Sequence, residues 1–397
     1  MQKRIKMLLK TQMPEKLKQQ VRIFRLNHPH LHNMIGSADR MLKQDHGMML
    51  SAYRFSRVIM ILCLPAFLLT CNLEEKKRNN YFVRGNEYLD KRDFTNALKF
   101  YGEAVEVDAE FASAWNNKGI AHFELGQYAE AIGAYNNAIM VDAEMIEAYF
   151  NRARAFMQSG EYPLALNDLE HVERSFPDTA EVYFRKGLCF YYMGNFDTSV
   201  NNFNTALDLD PDNPEILVNL STVYYAMRDY GSSREMLEEA LIVDSEMAEA
   251  YSGLALLEIR DEKLDRALEY IEYALSLVPD NPYFLNNRGF IHLEMGDVAS
   301  ALGDINASIQ IDPYNSWAYR NKGWYYYKTE QYEDALRLLK KAREMNDSLE
   351  AVHYFLGLTY IELDSTDMAC KRFRQSIEAG DPDGDSAFEK YCTGTSF

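Results

Sequence analysis

Three groups of residues have types and spacings that could do chemistry. His28, His30 and His32, with His46 beyond them, could in principle ligate a metal, although they lie in a stretch that reads better as disordered or untranslated. Asp381, Asp383 and Asp385 alternate as they would in a calcium loop. There, however, Ser386 stands where the sharp turn needs glycine, and Cys392 stands where a bidentate glutamate belongs, so turn chemistry is expected instead. The five cysteines (Cys63, Cys71, Cys189, Cys370 and Cys392) include no CxxC pair, so neither a disulfide framework nor a zinc site is expected. Gly-rich phosphate loops, HExxH and GxSxG are absent, which argues against an enzyme and against any catalytic, metal or cofactor site.

Charge narrows the range of partners. The 397 residues carry 42 Lys and Arg against 60 Asp and Glu, a formal charge of −18. Residues 1–70 hold 12 Lys and Arg against 3 Asp and Glu, which leaves the remainder at −27. So acidic a body repels phosphate backbones, and no nucleic-acid partner is expected. With 47% hydrophobic and 26% charged residues, the chain has the composition of a folded protein.

One apolar run, Val58 to Thr70, is too short to cross a bilayer and is interrupted by Pro65. Arg54 and Arg57 precede it, and Leu68-Leu69-Thr70-Cys71 closes it. This arrangement resembles the signal peptide and cleavage box of bacterial lipoproteins. The resemblance implies that Cys71 is acylated and becomes the mature amino terminus, with Thr70 departing from the commoner Gly, Ala or Ser. A start at Met48 or Met49 gives a leader of ordinary length. Residues 1–47 are then an over-called start or a disordered basic leader, 48–70 the signal peptide and 71–77 a short polar linker.

From Arg78 onward the chain repeats every 34 residues for nine repeats without insertion. Position 8 of each repeat reads Gly85, Gly119, Ala153, Gly187, Ser221, Ala255, Gly289, Gly323 and Gly357. Position 20 reads Ala97, Ala131, Ala165, Ser199, Ser233, Ala267, Ala301, Ala335 and Ala369. Large residues occupy positions 4 and 24, among them Trp115, Tyr149, Tyr101 and Phe203, and prolines recur at position 32. The spacing within each repeat predicts two amphipathic helices, A and B, whose small residues permit close approach. Gly126, Gly160, Gly194 and Gly296 at position 15 are expected to end helix A in the left-handed conformation.

Residues 78–383 resemble the tetratricopeptide repeat, with its W-x2-L-G-x2-Y, A-x3-F and P pattern. The resemblance implies an all-α, right-handed superhelical solenoid of antiparallel helix pairs, with residues 384–397 as a C-terminal cap. It also implies a concave groove lined by positions 2, 5, 6, 9, 12 and 13 of helix A. Position 6 there supplies a column of Asn117, Asn151, Asn219, Asn287 and Asn321, with Arg185 in the fourth repeat; carboxamides so stacked suit a peptide backbone. Glu147, Glu181, Glu215 and Glu249 at position 2 make a negative rail. Phe150, Phe184 and Tyr192 add rings beside it, and Trp317, Arg320 and Trp324 form a second cluster. The expected ligand is a protein or extended peptide with apolar and basic residues, held by a lipid-anchored envelope scaffold that aids assembly of an envelope or secretion complex. The alternatives are a lipoprotein that stacks glycans on its aromatic wall and a cytosolic adaptor. His122, His292 and His353 fall on packing positions and are expected in the core, unlike His171.

Overall fold

A computed structural model of the protein describes residues 73–392, all of whose regular structure is helical. Residues 1–47, read above as an over-called start or a basic leader, residues 48–70, read as a signal peptide, and Cys71 lie outside the described residues. The described residues form two compact units, one running to Ala121 and the other from His122 onward.

Helix positions follow the 34-residue period. The A helices are α1 (73–90), α3 (Ala112–Glu124), α5 (Ile146–Gln158), α7 (Ala180–Tyr192), α9 (Pro214–Ala226), α11 (Ala248–Arg260), α13 (Pro282–Glu294), α15 (Ser316–Lys328) and α17 (Val352–Glu362). The B helices are α2 (Phe94–Val107), α4 (Tyr128–Val141), α6 (Tyr162–Ser175), α8 (Phe196–Leu209), α10 (Tyr230–Val243), α12 (Leu264–Leu277), α14 (Val298–Ile311), α16 (Tyr332–Met345) and α18 (Thr366–Glu378). A final helix, α19 (Gly384–Cys392), follows them. One boundary differs from expectation. Residues 73–77 are not a linker but the first turn of α1, where Arg78 pairs with Glu75 at 3.7 Å and with Asp108 at 2.5 Å.

Local chemistry explains the helix ends. Asp93, Asp229 and Asp297 each accept a backbone N–H from the third residue on, capping α2, α10 and α14. Asn213, Asn281 and Asn315 cap α9, α13 and α15: Asn213 accepts from Glu215 N, Asn281 from Tyr283 N and Phe284 N, and Asn315 from Ala318 N. The four glycines at position 15 have φ between +71° and +85°. Arg92, Arg228, Glu262, Glu330 and Asp364 occupy the same position in the other repeats and take the same left-handed conformation, with φ from +53° to +64°. A side chain there is strained, so Glu262→Gly is expected to raise stability by about 0.5–1 kcal/mol, read as a higher thermal midpoint.

In the first unit, Gly85 of α1 faces the ring of Tyr101 so closely that a Cβ would stand 2.5 Å from it. The Tyr101 hydroxyl donates to Asn86 Oδ1 at 2.7 Å, and burial pushes its pKa up to about 12. In the second unit each A helix from α5 onward packs on its own B helix, and from α7 onward successive A helices also touch, as α9 does on α10 and α11. Position 8 meets positions 20 and 24: Ser199 Oγ donates to Gly187 O at 2.8 Å, and a Cβ on Gly187 would stand 2.9 Å from the Phe203 ring.

Two partly buried ion pairs recur at matching positions. Arg152 holds Asp168 through two bonds of 2.7 Å in repeat 3, and Arg288 holds Asp304 at 2.6 and 2.7 Å in repeat 7. A disulfide joins Cys370 of α18 to Cys392 at the end of α19, contrary to the sequence expectation of no such bond. Neither cysteine sits in a motif; the close packing of α18 and α19 brings the two together. Cys189 remains a buried free thiol, its pKa pushed up to about 12 by burial.

Candidate interaction groove

The helical register sets which A-helix residues can face a ligand. Glu147, Glu215 and Glu249, each the second residue of its helix, are exposed. Glu181 is exposed too and is paired with Arg185 of the same helix, whose guanidinium lies 5.5 Å from the Phe150 ring centre. Phe150 is half-buried. Tyr192 is 59% exposed and stacks on Tyr162 with ring centres 5.2 Å apart. These residues form an accessible acidic and aromatic wall across repeats 3 to 6.

The asparagine column has other duties. Asn117 Nδ2 donates to Asn86 Oδ1 at 3.0 Å, and Asn219 Nδ2 bonds back to Glu215 O at 2.8 Å. Asn151 is half-buried. Asn287 Nδ2 donates to Ser252 Oγ at 3.2 Å. Asn321 is only 1% exposed; its amide donates to Asn286 Oδ1 at 2.9 Å and accepts from Arg320 at 2.8 and 3.0 Å. Arg320 is itself buried and donates onward to Glu350 O at 2.8 Å. Ser252, Asn286, Asn287, Asn321, Arg320 and Glu350 thus form a polar relay that ties repeats 6 to 9 together.

Asn321 and Arg320 are accordingly corrected from ligand-facing to structural residues, because buried polar groups must find partners and these find them in neighbouring helices. Burial lowers the Arg320 pKa to about 10, with the Glu350 charge opposing the shift, so the side chain stays charged at neutral pH. The sequence signal for the relay was Ser252 and Asn286 directly beside the position-6 column.

Phe184 is likewise a core residue, 5.7 Å from the Phe203 ring centre. Trp324 is stacked between Phe355 at 4.1 Å and Tyr327 at 4.7 Å, and its indole N–H donates to Glu294 at 2.7 Å. Trp317 is half-buried beneath the Arg320 guanidinium, 4.6 Å away. Of the histidines expected in the core, only His353 is fully buried, with Nε2 3.0 Å from Asp347 O.

Asp381 is buried and accepts from Ala351 N and Ser376 Oγ, which is turn chemistry. Among the described residues no cluster of three His, Cys, Asp or Glu could hold a metal, and no helix is long and apolar enough to cross a membrane.

Models of the tetratricopeptide repeat match residues 82–143, 187–228, 218–282, 254–318 and 305–337, more than half of the chain. Among solved structures, the Cut9–Hcn1 hetero-tetramer of APC/C superposes with a TM-score of 0.51 at 14% identity, over 79% of this chain and 75% of that one. A monomeric mutant of IFIT1 with Gppp-AAAA gives 0.54 at 17% identity, over 78% and 80%. At such identity these likenesses concern the fold alone. An uncharacterised protein of Methanocaldococcus jannaschii, MJ0572, is 36% identical over 53 residues, which is 13% of this chain; the match spans 62% of that relative's length. The small residues at positions 8 and 20, the period kept by every helix pair and these matches agree: the chain belongs to the tetratricopeptide-repeat family.

Proposed function

We propose that this protein is a non-catalytic scaffold, lipid-anchored through Cys71 in a bacterial envelope, which holds an extended protein segment against the A-helix wall of repeats 3 to 6. The observation that carries the reading is the exposed glutamate at one position of four successive repeats, Glu147, Glu181, Glu215 and Glu249, with the Phe150 ring against the Arg185 that pairs with Glu181 and the exposed Tyr192 at the far end of α7. Such a wall suits a segment with Lys or Arg and an apolar anchor. The carboxamides of Asn219 and Asn287 are engaged within the protein, so charge and rings do the recognising. Assembly of an envelope or secretion complex fits this role.

The Cys370–Cys392 disulfide supports a compartment outside the reducing cytosol and weighs against the cytosolic alternative. Exposed Tyr192 and Tyr283 keep the glycan-stacking reading as the second choice.

The test uses a fluorescein-labelled peptide alternating lysine and leucine, with a glycan array run in parallel. Replacing Glu147, Glu215 and Glu249 together by Gln is expected to weaken peptide binding about tenfold, most clearly at low salt. Glycan binding without peptide binding would replace the first reading by the second. Mass spectrometry of the mature amino terminus is expected to find acylated Cys71; an intact Met1 with Cys71 unmodified overturns the anchor.

A further inference from the structure

Within the second unit, side chains three and four repeats apart come together. Tyr192 of α7 and Tyr283 of α13 lie within electrostatic reach of one another. Tyr225 of α9 senses Glu350, Arg320 and Arg260, and burial raises its pKa above the ordinary phenol value. Arg228, in the turn after α9, covers the turn between α18 and α19. A Cβ on Gly380 would stand 2.9 Å from Arg228 Nη2 and 3.3 Å from its Cζ. That turn is firmly built, with Asp381 bonded to Ala351 N at 3.1 Å and to Ser376 Oγ at 2.8 Å. The buried Arg320 guanidinium likewise lies in the field of Glu350, Tyr225 and Asp381.

Helix α9 itself packs on α7, α8, α10 and α11, its near neighbours in the stack. What crosses from repeat 5 to the turn before the cap is the Arg228 side chain, with the Tyr225 phenol in the field of Glu350 and Arg320 beside it. A stack of repeats joined only to their neighbours is soft in curvature, because small angular changes at each interface accumulate. Contacts between distant repeats remove that freedom.

We propose that Arg228, with Tyr225 one turn before it, forms a latch across the A-helix side of repeats 5 to 9, so that a partner segment held on the exposed wall of repeats 3 to 6 extends past repeat 6 only when the latch opens. The clause about access rests on the groove reading above; the latch does not. A partner that binds the open form would draw the population toward it, and a variant without the latch would bind that partner more tightly.

The test is a distance measurement on the full chain, with spin labels on unnatural residues at Glu235 of α10 and Asp385 of α19, both exposed. The unaltered protein is expected to give one narrow distribution. Tyr225→Ala with Arg228→Ala should broaden it and shift it to longer separation while the helical circular dichroism stays unchanged. Should the double variant lose helix content, Arg228→Ala alone, an exposed site, is read in its place. Superimposable distributions overturn the latch. A lengthened distance with unchanged affinity for the lysine–leucine peptide overturns the access clause and leaves the latch standing. If the peptide fails to bind the unaltered protein, the groove reading falls while the distances still decide the latch.

Discussion

Phe203→Ala is expected to destabilise the protein by about 3–5 kcal/mol, read as a fall in the urea midpoint. Phe203 is fully buried in α8, packed with Phe184, Ala206, Ile216, Leu220 and Val223, so its ring belongs to the joint between repeats 4 and 5. The stack cannot close over the space left behind, because α7 is also held to α8 by the Ser199–Gly187 bond. A second substitution shows what the ring does to its neighbour. In the unaltered protein Gly187→Ala forces a methyl to within 2.9 Å of the ring, and overpacking of about 1–3 kcal/mol outweighs the gain of about 1 kcal/mol from replacing a helical glycine. In the Phe203→Ala background the obstacle is gone, and the same Gly187→Ala change becomes stabilising. The reversal of sign is the measurement; two changes that simply add would show that position 8 is small for some other reason.

Removing the disulfide has the second large effect. Cys370→Ala with Cys392→Ala is expected to cost about 3 kcal/mol, as expected for a cross-link that closes a loop of this size, the two cysteines being 22 residues apart. The loss is local. Helix α19 covers Phe373, Ala369 and Tyr360, and Phe373 stacks on Tyr391 with ring centres 6.0 Å apart. Repeats couple mainly to their neighbours, so the cap and repeat 9 should unfold at lower urea than the rest, giving a separate early transition. A reducing agent should produce the same transition in the unaltered protein and change nothing in the double variant. If neither treatment shifts the unfolding of α19, its packing alone holds the cap and the covalent bond is dispensable.

Both predictions rest on features of different legibility. The small residue at position 8 and the large one at position 24 were plain in the sequence; that the ring of Phe203 lies directly over Gly187 was shown only by the packing of α7 on α8. The matched Arg152–Asp168 and Arg288–Asp304 pairs also left a trace, at positions 7 and 23 of repeats 3 and 7. The disulfide left none: its cysteines lie 22 residues apart in no motif, and only the fold of α19 back onto α18 brings them together.

By itself the sequence determined the helix pairs, their period and their family. The A helices of repeats 2 to 8 begin at the first position of each repeat, because neighbour-to-neighbour stacking depends on the local spacing of large and small residues. The tertiary structure decided which atoms are free to meet a partner. Asn219 and Asn321 share one repeat position, yet the first bonds to its own helix and the second is buried between Asn286 and Arg320. The cause is physical: a repeat position sets a direction from the helix axis, whereas burial and hydrogen bonding depend on what the adjacent helices, and repeats three or four places away, present from the other side.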